Sequence, residues 1–197
     1  VNSRFAPALM HWNLPVDFLL DPVGDAASAA PACELWLVTQ SGAEQWLAGR
    51  DAVERAWLQS AGFKAERQQL VVVPGADGLP RAAVLGLGPL TSLGALELWH
   101  VAGLPDRLPG GSRWRAAQAL EPAAATTLAL GWAYGSYRFD AYKSAARSTA
   151  ARARLEVPAN ADVELATRLA AATAMARDFV NTPASDFTPE RLAAEAM

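Results

Sequence analysis

The residue types able to do chemistry in this 197-residue chain are few and scattered. A catalytic metal needs three or more convergent His, Cys, Asp or Glu ligands. The two histidines, His11 and His100, stand far apart outside any HExxH-type frame, and each reads as a surface or packing residue. Asp21 and Asp25 share the segment "DPVGD", but Pro22 and Gly24 make it a turn whose carboxylates are solvated. Spacing therefore defines no ligand cluster. Nucleophilic catalysis has no candidate either: there is no G-x-S-x-G elbow, and Cys33 lies at a strand entrance without a neighbouring histidine. Cys33 reads as a small core residue.

The Gly-rich "LGLGPL" after a strand, residues 85–90, can present backbone N–H groups to a phosphate, which makes a nucleotide or ADP-ribose-like ligand one reading. It lacks the P-loop lysine and the third glycine of a dinucleotide fingerprint, so a plain strand-to-helix turn is the other. Trp36, Trp46, Trp57, Trp99 and Trp132 lie in apolar periodic segments, which assigns them to core packing rather than a ligand cage. Arg138, Lys143, Arg147, Arg152 and Arg154 cluster in sequence against Asp140 alone. Either they form a solvated face with a charge-protected strand edge, or they form a DNA-binding patch. The net charge of −3 gives no whole-molecule reason to expect nucleic acid. A single cysteine, with no secretory pattern at the start, predicts a reducing cytoplasm, and apolar runs fall short of the roughly 18 residues of a membrane span.

The elements that must position these residues alternate between strand and helix. "ELWLVTQ" reads as a buried strand over 34–40, followed by a helical stretch broken at Gly49-Arg50-Asp51, with Asp51 as a cap. Residues 69–73 and 81–86 form a hairpin around a Gly-, Asp- and Pro-rich turn. A short helix over 93–101, a Pro/Gly-rich loop, a strand over 112–118 and a helix opened by Glu121-Pro122 come next. "ARARLEV" alternates Arg152, Arg154 and Glu156 against Ala153, Leu155 and Val157, the period-two pattern of a half-exposed strand. A long amphipathic helix over 162–180 follows, with Val163, Leu165, Ala166, Leu169, Ala172, Thr173, Ala176 and Val180 near its apolar side. The economical fold is α/β, a mixed sheet flanked by helices. The last stretch, "TPERLAAEAM", announces a helix with Thr188 as cap and Pro189 in the first turn, yet spans only about two turns, shorter than an isolated helix needs. The expectation is a chain cut inside a larger one.

Two stretches carry a resemblance. "ALGWAYGSYRFDAYK" over 129–143 and "ARDFVNTPASDFTPERLAAEA" over 176–196 closely resemble the junction region of the leucyl aminopeptidase family, the cytosol aminopeptidases. In that family a helix ending G-x-Y-x-F-x-x-Y/F-K precedes a strand, and a long linker helix ends in R-D-x-x-N-x-P before the peptidase domain. Gly135, Tyr137, Phe139, Tyr142 and Lys143 match the first pattern; Arg177, Asp178, Asn181, Thr182 and Pro183 match the second. The resemblance implies an N-terminal non-catalytic domain over 1–158, similar to a macro domain, a linker helix and turn over 159–183, and the start of the metallopeptidase domain over 184–197. It implies a cytoplasmic parent that releases N-terminal residues from peptides with two divalent ions (manganese, zinc or magnesium), assembled as a homo-hexamer in which this stretch serves assembly and site access. Family metal ligands and catalytic residues come from motifs such as N-T-D-A-E-G-R, none of which occurs here. The resemblance thus carries over no catalytic, metal or cofactor-binding residue, leaves Asp178 and Asp186 without a ligand role, and implies that this stretch alone is inactive and binds no metal.

Overall fold

The computed structural model describes residues 17–22, 31–142 and 151–195. His11, Asp25, Lys143 and Arg147, singled out above, lie outside these described residues. The chain forms β1 (Leu20–Asp21), β2 (Cys33–Val38), α1 (Ala43–Ala48), α2 (Ala52–Ser60), β3 (Leu70–Pro74) and β4 (Pro80–Gly86). After a 3-10 turn at Leu93–Ala95 come α3 (Leu98–Val101), α4 (Leu104–Arg107), β5 (Arg113–Ala116), α5 (Pro122–Ser136), β6 (Arg154–Glu156), α6 (Val163–Asn181) and α7 (Pro189–Glu195).

A six-stranded sheet runs in the order β1-β6-β5-β2-β4-β3. It is mixed because the hairpin sets β3 antiparallel to β4, whereas β1, β6, β5, β2 and β4 pair in parallel. On one face, Leu35, Leu37, Leu85, Trp114 and Leu155 pack with Leu128 and Trp132 of α5 in the main core. On the other, α1 and α2 cover only the β2-β4-β3 half, where Val38, Val73, Ala82 and Val84 meet Leu58 and Phe63. Asp51 caps α2 as expected, its side chain accepting from the Glu54 N–H at 2.8 Å. Over β5, β6 and β1 that second face is instead charged, with Arg115 in register between Glu34 and Glu156.

This explains β6. It is an interior strand, between β1 and β5, and not the charge-protected edge the sequence suggests. Its alternation arises because Ala153, Leu155 and Val157 enter apolar packing while Arg154 and Glu156 join the charged face. Asp21 is likewise no solvated turn residue. It lies in β1, is 8% exposed, and accepts from Arg113 Nε at 3.0 Å and Arg154 Nε at 2.7 Å.

Other differences have local causes. The expected helix over 93–101 breaks at Leu96, whose extended backbone separates the 3-10 turn from α3. His100 is a buried packing residue whose Nδ1 accepts from the Glu97 N–H at 3.1 Å. α4 occupies what reads as loop, with Pro105 tolerated in its first turn. Trp132 is wholly buried, as is Trp114, but Trp57 and Trp99 are 45% and 57% exposed, contrary to a core role. Trp57 Nε1 donates to the Val72 carbonyl at 3.1 Å, occupying a group on the edge strand β3. Trp36 and Trp46 are half-buried around the Arg50 guanidinium, 4.3 and 4.9 Å from the two rings. Cys33 is half-buried against the main core, its thiol donating to the Pro80 carbonyl.

The α6 helix turns a narrower face inward than its periodicity suggests. Ala166, Ala170 and Ala174 are its buried residues, and the first two pack with Ala129, Leu130 and Ala133 of α5. Leu169 and Val180, placed on the apolar side by sequence, are 41% and 86% exposed. Small side chains spaced by four let the two helices approach closely, which rotates the larger apolar residues away from the contact.

Candidate functional site

The two motifs far apart in sequence meet at the ends of α5 and α6. Gly135, the penultimate residue of α5, sits against the backbone of Ala102, and a Cβ there would overlap the Ala102 carbonyl. The helix stops at Ser136, and Tyr137 turns to extended backbone. The C-terminal end of α5 is closed by Arg152, whose Nη2 and Nη1 donate to the carbonyls of Gly135 and Ser136 at 2.7 and 2.6 Å. A cation on the last carbonyls also opposes the negative end of the helix dipole. Asp106 of α4 holds that arginine, accepting from Arg152 Nε at 2.7 Å and from Arg138 at 2.6 Å.

At the far end of α6, Thr182 is extended because proline follows it, which ends the helix. Its N–H and hydroxyl both donate to the Asp178 carbonyl, at 2.9 and 2.7 Å. The helix ends are then joined by side chains. Tyr137 donates its phenol to Asp178 Oδ1 at 2.7 Å and accepts from Asn181 Nδ2 at 3.0 Å. The Arg177 guanidinium lies 5.5 and 5.2 Å from the Tyr134 and Tyr137 ring centres and donates to the Tyr134 carbonyl at 3.1 Å. Thr173 donates to the Tyr134 hydroxyl at 3.0 Å. Beyond α6, Tyr142 donates to Asp186 Oδ2 at 2.6 Å, Phe139 stacks near Tyr142, and Phe179 lies 4.7 Å from Phe187, centre to centre. Thr188 caps α7 by accepting from the Arg191 N–H at 3.4 Å.

Electrostatics keep this cluster a clamp. Burial pushes the Tyr137 phenol up to about 12, and its bond to Asp178 pushes the same way, so the proton needed for the contact stays in place at neutral pH. Burial also raises the Asp178 carboxyl, with the Tyr137 bond pulling back. The Tyr142 phenol is raised first by its bond to Asp186. Such groups hold position; none is poised as a nucleophile.

The remaining sequence candidates resolve differently. In "LGLGPL" the N–H groups of Gly86, Leu87 and Gly88 donate to the carbonyls of Gln69, Val38 and Ala65 at 2.7, 2.9 and 2.9 Å. They are not free for a phosphate. Gly86 is needed because a Cβ would overlap the backbone at Ala65 and Glu66. The nucleotide reading of this loop is not favoured. Nor is the DNA-binding patch: Arg138 and Arg152 share Asp106, and Arg154 is bound to Asp17 and Asp21.

Family resemblance implies divalent ions, and the donor set here does not fit them. Among the described residues no group of three or more His, Cys, Asp or Glu side chains could hold a metal. Asp21 and Glu156 do gather with Asp17, but around Arg113 and Arg154. Sequence reasoning missed Asp106, Arg113 and the junction role of Arg152. Only Arg152 carried a signal, as a cation just before an alternating strand; the others depend on contacts across the fold.

The fold and this junction define a mixed α/β sheet structure with the long helix α6 clamped to α5. Residues 33–158 match the model of the M17 aminopeptidase N-terminal domain, and the chain belongs to that family, the leucyl aminopeptidases. It is 29% identical to a probable cytosol aminopeptidase of Streptomyces avermitilis, over 89% of this chain and 39% of that relative. The crystal structure of a cytosol aminopeptidase from Coxiella burnetii shares the fold at a TM-score of 0.73 and 20% identity, covering 90% of this chain and 36% of that one. The bottromycin maturation enzyme BotP, solved in complex with Mn, aligns at a TM-score of 0.57 and 25% identity, over 84% of this chain and 35% of its own. The chain therefore spans less than two-fifths of the length of these relatives. Among the described residues no helix is long and apolar enough to cross a membrane.

Proposed function

We propose that this chain is the N-terminal, non-catalytic part of a metal-dependent leucyl-type aminopeptidase that releases N-terminal residues from peptides. Residues 1–158 serve as a macro-like scaffold domain, 159–183 as linker helix and turn, and 184–197 as the entry to the peptidase domain. The parent uses two divalent ions, manganese being supported by the BotP complex and zinc or magnesium being the other family choices. It works in the cytoplasm as a homo-hexamer, with this part contributing to assembly and to access to the sites.

One observation carries the reading. The two family motifs, separated by some forty positions, close on each other through Tyr137, Asp178 and Asn181. That contact fixes the direction in which α6 leaves the domain, which is what a part that positions a following catalytic domain must do. The test is leucine release from a leucyl dipeptide, with manganese or zinc, by the longer gene product and by the chain ending at Met197. Activity in the first alone is the expected result. Release by the purified shorter chain, or none by the longer one under every metal, overturns the proposal.

A further inference from the structure

We infer that the outward side of α6 is the seat of the domain that follows it, through the stripe Leu165, Leu169, Ala172, Ala176 and Val180. The helix has three sectors. Ala166, Ala170 and Ala174 are buried, the first two against the α5 side. Glu164 and Arg168 pair at 3.3 Å with both side chains largely in water, which marks the solvent side. Between them the five stripe residues recur at spacings of three and four, on one side of the helix. Leu169, Ala172, Ala176 and Val180 are exposed, Val180 almost completely. A helix that packs on one side only needs polar residues on the rest of its surface; a second apolar stripe beside the first is the mark of a second partner.

The occupant is argued from three observations. The relatives are more than twice as long as the stretch they share with this chain, and the shared stretch is the N-terminal domain. The chain after α6 already begins to cover this side, since Phe187 stacks on Phe179, which flanks the stripe. The apolar surface also continues onto α7, where Leu192 is 47% exposed. The partner is therefore an apolar surface of the same polypeptide, lying next to α7. Seating it on α6 gives the Tyr137 clamp a consequence: the helix that the clamp orients is the floor on which the next domain rests.

The inference rests on the proposed function, and its test separates the two. In a Cys33→Ser background, Val180→Cys is labelled with a maleimide in the longer gene product and in the chain ending at Met197. Val53→Cys on α2, also largely exposed, is the reference site. The expected result is a Val180-to-Val53 rate ratio at least tenfold lower in the longer protein. An unchanged ratio overturns the seat. So does protection already present in the shorter chain and lost on dilution, which assigns the stripe to a second copy. Leucine release by the longer protein, scored separately, decides the proposed function: an active enzyme with an unprotected Val180→Cys sinks the seat alone, and an inactive one with protection sinks the function alone.

Discussion

Replacing Tyr137 with phenylalanine removes one oxygen from the junction and leaves the ring under Arg177 in place. The lost hydroxyl donates to Asp178 and accepts from Asn181. A hydrogen bond to a charged group is worth about 1.5–3 kcal/mol when buried. Asp178 is only half-buried, so solvent screening reduces this to about 1 kcal/mol at neutral pH. For a domain of this size that corresponds to a fall in Tm of about 2–4 °C.

The pH dependence is the sharper part of the prediction. Burial raises the folded Asp178 carboxyl above its ordinary 3.8, and the Tyr137 bond is what lowers it. A carboxyl raised on folding contributes stability that is complete below its unfolded value and is lost as pH rises through its folded value. Without the phenol the folded value climbs further, so more stability is lost over the same rise. The Tyr137→Phe penalty should therefore be small near pH 4 and reach its full size by about pH 7. Adding Asp178→Asn should abolish that growth. Urea unfolding followed by tryptophan fluorescence at both pH values reads the difference. An equal penalty at both, or a larger one in acid, would refute the assignment of Asp178 as the charged partner.

Three further outcomes follow from the same geometry. Gly135→Ala should destabilise by about 1–3 kcal/mol in chemical denaturation despite a helix-propensity gain of about 1 kcal/mol, because the obstructing atom is the Ala102 backbone; a neutral result would mean α5 and α3 can separate without cost. Asp21→Asn should cost about 1.5–3 kcal/mol by taking the carboxylate from Arg113 and Arg154 and leaving the buried Arg113 with Glu156 alone, while Asp17→Asn in the outer pair should cost under about 1 kcal/mol, and equal losses by thermal melting would contradict this ranking. Titration with ADP-ribose should give no saturable heat, since the N–H groups of the Gly-rich loop are already bonded; saturable binding lost on Gly88→Ala would reverse that conclusion.

The backbone signals in this sequence are local, and they were readable. Asp51 announces a helix start by its chemistry, and the Pro-Gly-Ala-Asp-Gly turn announces a hairpin. The mixed sheet follows from that hairpin among alternating strands and helices. The junction residues could also be picked out, but only through a family pattern: nothing in the spacing of Tyr137 and Asp178 states that they touch. What stayed hidden depends on long-range partners. Asp21 reads as a turn acid until Arg113 and Arg154 arrive from strands far along the chain. On α6, periodicity finds an apolar arc without saying which part of it the neighbouring helix takes. Trp57 and Trp99 are exposed for a related reason, since an apolar context says nothing about which side of a short helix remains uncovered.

The charge distribution ties these observations to the proposed role. Three acids at the junction are held by side chains of the protein: Asp106 by Arg138 and Arg152, Asp178 by Tyr137, Asp186 by Tyr142. Each bond links a residue of one motif, or the cap of α5, to an element on which that motif rests. A site built for a metal would leave carboxylate oxygens convergent and short of donors, because the ion supplies the missing charge. Here each of these carboxylates already accepts from a side chain of the protein, and the bonds run from α4 past the end of α5 to α6 and the turn before α7. That is the arrangement expected of a part whose work is to hold a direction.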